Sequence, residues 1–419
     1  MKPKPDLSAR GMDTLLVHGR GEPQPYGATL PPVVLSTAFG HASAEAMAAV
    51  FAHEQEGHAY SRISNPTVAA LEERIAAVHQ ARGCVAVASG MSAVALVILT
   101  LARAGDQLVA GKHIFGGTYS LLHTTLAGLG ISTTWVDARA GETVRQAITP
   151  RTRAVLVEAI GNPAMAVPDL DGIRAACADA GVPLLVDATL VTPLLLDTAA
   201  TGTDVAIYSG SKFLAGAATT IGGLIVDTGR FPWGTGDRVN LGDYQRQGAQ
   251  GFLNRLRQEM MIGIGPALSP QAAFLQIAGL ETLGLRLERQ CANAQAAAEW
   301  LRRQRPVVSV HYPGLEDHPG HRLCGRYFRG KFGSVLSFSL ASQAACFRFL
   351  NALRLVTRAS NLGDTRSLAL HPASTIYHGF WPAEREAIGV PDTLIRLSLG
   401  IEDLKDILAD IEAALSEIA

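Results

Sequence analysis

Through roughly the first 230 residues, short unbroken apolar runs alternate with longer stretches in which apolar side chains recur every three or four positions. The runs predict strands at 84–88, 107–110, 133–136, 154–158, 184–187, 205–208 and 222–227. The periodic stretches predict helices at 65–79, 91–103, 118–128 and 170–180, with Asn65 placed to cap the first and Pro66 suited to its first position. Apolar runs with little alternation mean strands covered on both sides, so the pattern predicts an α/β fold. Its sheet should be mostly parallel, with helices on both faces and ligands at the carboxyl ends of the strands.

Outside this unit the pattern changes. Residues 1–60 form an arm with little periodicity, rich in Pro and Gly around 19–32, that can reach a neighbouring subunit. The α/β unit then occupies 61–267, and residues 229–251 read as an irregular loop over the site. A C-terminal α+β unit spans 268–419, helical over 268–305 and mixed from Val307 onward.

Composition narrows the function. With 419 residues, 48% of them hydrophobic and 17% charged, the chain can bury a large core. The formal net charge of −1 carries no block of like charge, which argues against nucleic acid and anionic membranes and favours small metabolites. The most apolar stretch, 85–102, is interrupted by Ser89, Gly90, Ser92 and Thr100 and reads as strand and helix rather than a membrane span. Five scattered cysteines without C-x-x-C spacing point away from disulfides and zinc. With no apolar run near Met1 to serve as a signal peptide, they suit a reducing cytoplasm.

Arginine is the default cation of this chain. Only Lys2, Lys4, Lys112, Lys212, Lys331 and Lys405 are lysines, and Lys212 stands in a stretch without other charge from Tyr208 to Val226. An amine in such surroundings can lose its proton and act as a nucleophile, as arginine cannot; it could equally lay its stem over apolar surface and keep its head in water. Asp187 closes the apolar strand before it, where a carboxylate needs a cation or serves as a turn former. A lysine and an aspartate at neighbouring strand ends suit pyridoxal phosphate, the amine binding its aldehyde and the carboxylate facing its ring nitrogen. The strand-to-helix turn Ser89-Gly90-Met91 offers free N–H groups to a phosphate, and Ser209 and Ser211 add hydroxyls.

Taken in order, these motifs resemble the Cys/Met-metabolism, or transsulfuration, enzymes. The likeness runs from Leu16-Val-His-Gly19 through Tyr60-Ser-Arg-Ile-Ser-Asn-Pro-Thr67, Ala88-Ser-Gly-Met91, Gly116-Gly-Thr-Tyr119, Glu158-Ala-Ile-Gly-Asn-Pro163, Val186-Asp-Ala-Thr189 and Ser209-Gly-Ser-Lys212 to Arg396-Leu-Ser-Leu-Gly-Ile-Glu402. Within that family, Ser360-Asn-Leu-Gly-Asp364 and Leu280-Glu-Thr-Leu283 are similar to the O-acetylhomoserine sulfhydrylase branch. The resemblance implies a fold-type I transferase with a seven-stranded, mostly parallel sheet and a smaller C-terminal α+β domain. It implies a homodimer as the minimal active unit, assembled into a homotetramer.

It also implies roles. Lys212 binds the cofactor and moves protons, Asp187 faces the ring nitrogen, Thr189 lies under the ring and Phe115 stacks on it. Asn162 meets the phenolic oxygen. Ser89, Gly90, Met91, Ser209 and Ser211 hold the phosphate, with Tyr60 and Arg62 reaching it from a partner subunit and Tyr60 placed for catalysis. Asn361 and Arg396 bind the substrate, Arg396 by a bidentate grip on its carboxylate.

The implied reaction is γ-replacement. Lys212 removes the Cα proton and then a Cβ proton of an O-acylated homoserine, the γ-acyloxy group leaves as its carboxylate, and sulfide or a thiol adds at Cγ to give homocysteine or methionine. A γ-lyase and a cystathionine γ-synthase-type reaction are the nearest alternatives, with a non-catalytic binding homologue further away. Several positions depart from the family pattern: Phe115 replaces a ring-stacking tyrosine that can protonate a leaving group, Ala188 replaces asparagine, Ser211 replaces threonine, and Ala215-Gly-Ala217 stands where Gly-His-Gly is usual. Tyr60 or Tyr119 could supply the missing acid. Gly117 stands where methionine γ-lyases often carry a reactive cysteine, which favours replacement.

Overall fold

The computed structural model of the chain describes residues 10–21, 24–235, 238–239 and 241–418. Its larger sheet holds β1 (Gly83–Val87), β2 (Gln107–Gly111), β3 (Ser132–Val136), β4 (Thr152–Glu158), β5 (Leu184–Asp187), β6 (Val205–Ser209) and β7 (Gly223–Asp227), in the order β1-β7-β6-β5-β4-β2-β3. Strands β2 to β6 run parallel, and β7 is antiparallel to both β1 and β6. This is the mostly parallel seven-stranded sheet the apolar runs predict.

Two apolar layers cover it. Val155, Val157, Leu184 and Val186 face one core with the helices Pro66–His79 and Leu170–Ala180. Ala154, Leu156 and Leu185 face the other, under the helix Gly90–Leu101. By the two-residue period of a strand, Glu158 and Asp187 lie on this second face, at its carboxyl edge.

Local signals explain several helix starts. The Asn65 side chain accepts from Thr67 N, and Asp169 does the same for Gly172 N at the start of Leu170–Ala180. The helix expected at 91–103 begins one residue earlier, because Ser89 rather than Gly90 is its cap and accepts from Ser92 N at 3.0 Å. The helix expected at 118–128 is a short α turn, Gly116–Ser120, that widens into a π segment, Leu121–Leu126.

The segment after β7 corrects the sequence expectation. Because β7 is antiparallel, Asp227 ends at the opposite edge of the sheet from Ser209, so the chain leaves far from Lys212. There Trp233 is fully buried, stacks on Phe252 at 4.3 Å and donates from Nε1 to Asp227. The chain returns to the site edge only near Pro266, whose carbonyl accepts from Ala88 N. Residues 236, 237 and 240 of the expected loop lie outside the described residues.

The helical stretch 268–305 is two helices, Pro270–Leu280 and Leu283–Leu301. The second joins two cores, with Leu283, Leu287 and Cys291 on the larger sheet and Ala294, Ala297 and Leu301 on the smaller. The smaller sheet holds β8 (Ser309–His311), β9 (Val335–Ser339), β10 (Thr357–Arg358), β11 (Leu368–Leu370) and β12 (Leu394–Ser398), in the order β10-β11-β12-β9-β8. The arm is more regular than its pattern suggests, with helices at Met12–His18 and Ala44–Phe51, and its first nine residues lie outside the described ones. Among the described residues no helix is long and apolar enough to cross a membrane.

One polar group in this interior is out of place. Gln276 is fully buried, neither of its amide atoms has a hydrogen-bond partner, and the amide fills the space beside Gly210 and Gly222 where side chains would stand. Gln276→Leu removes two unpaired polar atoms at similar volume, so a gain of about 1–3 kcal/mol in unfolding free energy is expected. Urea denaturation checks it; a lower midpoint would show that the amide is satisfied.

Candidate active site

The site forms where β1, β4, β5 and β6 end and the second face opens. Asp187 ends β5 with its carboxylate partly open to the site, and one oxygen accepts from Thr189 N at 3.0 Å. Burial raises its pKa, and the Thr189 hydrogen bonds oppose that. Thr189 in turn accepts at Oγ1 from Ser209 N at 2.9 Å, which fixes the end of β6 beside β5.

Lys212 follows in the turn after β6. Its Nζ donates to Asn361 Oδ1 at 2.7 Å and has no carboxylate within ion-pair distance among the described residues. Burial, helped by the charge of Arg396, lowers the amine to about 8, so the neutral nucleophile is accessible near physiological pH. The alternative of a lysine with its head in bulk water does not hold.

Arg396 projects from β12 and is 2% exposed. It donates to Asn162 Oδ1 at 3.1 Å and to the Asn361 carbonyl at 2.8 Å, while Nε is buried without a partner. Burial pulls the guanidinium down to about 10, with Tyr377 opposing. A surface ion pair is therefore excluded. A buried cation with an unused donor and, among the described residues, no acidic partner is suited to receive a carboxylate.

The phosphate turn is equally well formed. Ser89 caps the helix Gly90–Leu101, whose first N–H groups have no carbonyl partner inside the helix. A Cβ on Gly90 would come within 2.8 Å of Ser209 Cβ, so only glycine lets the helix start approach the β6 end. Ser211 Oγ accepts from Gly222 N at 3.0 Å, and Met91 Sδ lies 3.9 Å from the Thr118 hydroxyl.

Phe115 opens the turn after β2 and is half-buried. Its N–H and that of Asn162 both donate to one carboxylate, Glu158, at 2.7 and 3.0 Å. Glu158 is a site residue that the reading of the sequence passes over. The signal was present: it ends an apolar strand just as Asp187 does. Tyr377, whose hydroxyl lies 2.9 Å from the Ile114 carbonyl and 2.8 Å from that of Asn162, carried no such signal.

Two expected residues stand apart. Tyr60 is 39% exposed, and Arg62 donates to the Ile262 carbonyl at 2.6 Å with its guanidinium 5.5 Å from the Tyr60 ring. Among the described residues no hydrogen bond, ion pair or ring contact joins either to Lys212. Tyr119 is packed between Trp135, at 4.5 Å, and Phe380, and burial raises its hydroxyl, which makes it a poor acid. No group of three or more metal-ligating side chains occurs among the described residues.

An anion turn, a strand-end carboxylate, a desolvated amine and an unpaired buried guanidinium fit pyridoxal phosphate with an amino acid bound to it. Comparison with known proteins agrees. The profile for Cys/Met metabolism PLP-dependent enzymes matches residues 13–416. An O-acetyl-L-homoserine sulfhydrylase of Thermus thermophilus is 38% identical over 96% of this chain and 99% of its own. An L-methionine gamma-lyase of Pseudomonas putida is 37% identical over 98% of each chain. A Campylobacter jejuni crystal structure, assigned as an O-acetylhomoserine (thiol)-lyase and containing N'-pyridoxyl-lysine-5'-monophosphate, superposes with a TM-score of 0.90. It is 30% identical, covering 97% of this chain and 100% of that one.

Proposed function

The chain belongs to the Cys/Met metabolism PLP-dependent enzymes, and on that premise we propose that it exchanges the γ-acyloxy group of an O-acylated L-homoserine, O-acetyl-L-homoserine foremost, for sulfide or a thiol. The products are homocysteine or methionine and the free acid. The observation that carries this reading is Arg396, buried with no acidic partner among the described residues and linked through Asn361 to the Lys212 amine.

When bound, pyridoxal phosphate supplies an electrophilic carbonyl and a protonated ring that draws electron density from the substrate's Cα. In our reading the chain does the rest. Asp187 keeps the ring nitrogen protonated, and that positive charge stabilises a carboxylate that burial alone would push toward protonation. The N–H groups of Gly90 and Met91 hold the phosphate together with the hydroxyls of Ser89, Ser209 and Ser211. Asn162 gives its Oδ1 to Arg396, which leaves Nδ2 to donate to the phenolic oxygen. Thr189 and Phe115 would hold the faces of the ring. Arg396 grips the substrate carboxylate through Nε and a terminal nitrogen, and Asn361 steadies both Arg396 and Lys212. Lys212 removes the Cα proton, then one at Cβ, from the same side.

Phe115 favours an acyl leaving group. A departing carboxylate has a conjugate acid near about 4 and needs no proton, whereas a departing thiolate has one near about 8.5 or above and does. A phenyl ring offers stacking without an acid, so esters suffer less from the missing hydroxyl than thioethers.

The exposed Tyr60 and Arg62 belong, in this reading, to the phosphate site of a partner subunit. The arm 1–60, the cofactor-binding unit 61–267 and the C-terminal unit 268–419 then build a homodimer that pairs into a homotetramer in the cytoplasm.

Two experiments address the reaction. Purified enzyme is offered O-acetyl- or O-succinyl-L-homoserine with sulfide, methanethiol or cysteine, and the product is identified by mass; release of 2-oxobutyrate and ammonia without sulfur incorporation would make it a γ-lyase. Separately, Phe115→Tyr is expected to raise elimination from L-methionine by about 10²-fold, the worth of one positioned acid, while ester turnover and cofactor affinity stay within about threefold. Equal change on all substrates would count against the leaving-group argument.

A further inference from the structure

We propose that Glu158 is a positioning residue whose two carboxylate oxygens set the register between Phe115 and the Arg396 clamp. The proposal rests on the reading of Phe115, Asn162 and Arg396 given above. Glu158 touches neither substrate nor cofactor in that reading; it acts through the two turns it ties.

Three observations converge on it. Glu158 ends β4 in register with Asp187 at the end of β5, which places the two carboxylates on one face of adjacent strands. One oxygen accepts from Phe115 N and the other from Asn162 N. The side chain is 7% exposed and meets no cation within ion-pair distance among the described residues. Burial and the charge of Asp187 push its pKa well above the usual carboxyl range, against the pull of the two N–H donors. A costly buried acid is thus kept where two donors converge.

Chemistry explains why glutamate is needed. In either protonation state both oxygens can accept, whereas glutamine offers one acceptor and would turn its NH₂ toward a second N–H. Tyr377 straps the same turns from the other side through the carbonyls of Ile114 and Asn162. Asn162 then passes the setting to Arg396. The phosphate turn hangs from β1 and lies outside this chain of bonds, and Lys212, after β6, meets it only at its far end, through Asn361 beside Arg396.

The test compares wild-type, Glu158→Gln and Tyr377→Phe holoenzymes in three measurements. Glycine binding is read from the cofactor's absorbance, KM and kcat are taken on O-acetyl-L-homoserine, and the apo forms are titrated with pyridoxal phosphate. Glu158→Gln is expected to weaken glycine binding and raise KM by about tenfold to a hundredfold, the worth of a hydrogen bond to a charged group. Cofactor affinity should fall by clearly less than glycine affinity, because Lys212, Asp187 and the phosphate turn stay in place while only Phe115 and Asn162 shift; kcat should stay within about threefold of wild type, with Tyr377→Phe giving a smaller shift in the same direction. Wild-type glycine affinity in both variants overturns the proposal. So does a loss of cofactor affinity equal to the loss of glycine affinity, which marks general loosening. If Glu158→Gln yields no folded protein, Tyr377→Phe decides by the same criteria. Glycine carries no γ substituent, so a wild-type enzyme inert toward O-acetyl-L-homoserine would retire the γ-replacement reading and leave this measurement able to decide on Glu158.

Discussion

Lys212→Ala is expected to lower kcat by at least about 10⁴-fold and to abolish the near-visible absorbance band that the wild type shows with pyridoxal phosphate. The substitution removes both the amine that captures the cofactor and the base for two proton transfers, so the losses compound. Lys212→Arg is expected to restore nothing, because a guanidinium does not give up its proton. The phosphate turn and Asp187 remain, so both variants should keep weak, non-covalent cofactor binding and a cooperative thermal transition. The lowered pKa adds a sign. With the amine titrating at about 8, the neutral form grows as pH rises, so capture of cofactor by the apoenzyme should quicken about tenfold between about pH 7 and about pH 9 and then level off. Stopped-flow mixing reads this directly. A capture rate flat with pH, or an absorbance band surviving in Lys212→Ala, would remove the lysine from its assigned place.

Arg396→Lys should raise KM for the amino-acid substrate by about 10²-fold or more, with cofactor affinity unchanged. A fork that can hold Asn162, the Asn361 carbonyl and a substrate carboxylate together is replaced by a point charge on a flexible stem. The guanidinium is nearly sealed from solvent, which magnifies the loss. Steady-state kinetics on the ester substrate check it. A variant with wild-type KM would mean that the substrate carboxylate binds elsewhere.

What the sequence reveals follows from how each residue differs from its surroundings. Asp187 and Lys212 are charges at the ends of apolar runs, and such contrast survives without coordinates. Glu158 has the same contrast, but it lies inside a longer motif that draws the eye to Asn162. Arg396 is legible only by resemblance, because a single arginine in Leu394-Ile-Arg-Leu-Ser398 reads as an outward-facing strand position. In the fold that outward face meets the turn after β4, at Asn162 and Pro163. Gln276 and Tyr377 are invisible for a related reason: a lone polar residue in an apolar helix or loop is normally assigned to the surface.

Strands such as β5 emerged at the predicted residues because buried parallel strands are unbroken apolar runs with sharp ends. The strands of the smaller sheet, several of only two or three residues, are too short for a period to register. The segment after β7 was misplaced because strand direction is not written in local pattern. Only the pairing of β7 with β6 sends that chain to the far edge.

The position of β12 bears on how such an enzyme can diversify. It is the middle strand of its sheet, and Arg396 is flanked by Leu370 on β11 and Ser337 on β9, the latter donating to the Pro163 carbonyl at 2.8 Å. A residue so placed cannot drift without disturbing a whole sheet. Phe115, by contrast, is held through its backbone N–H, which leaves its side chain free to change. On the roles proposed for Arg396 and Phe115, recognition of the amino-acid end is fixed in the scaffold while recognition of the departing group stays adjustable, so descendants of this fold can acquire new leaving groups through few substitutions and remain committed to amino acids.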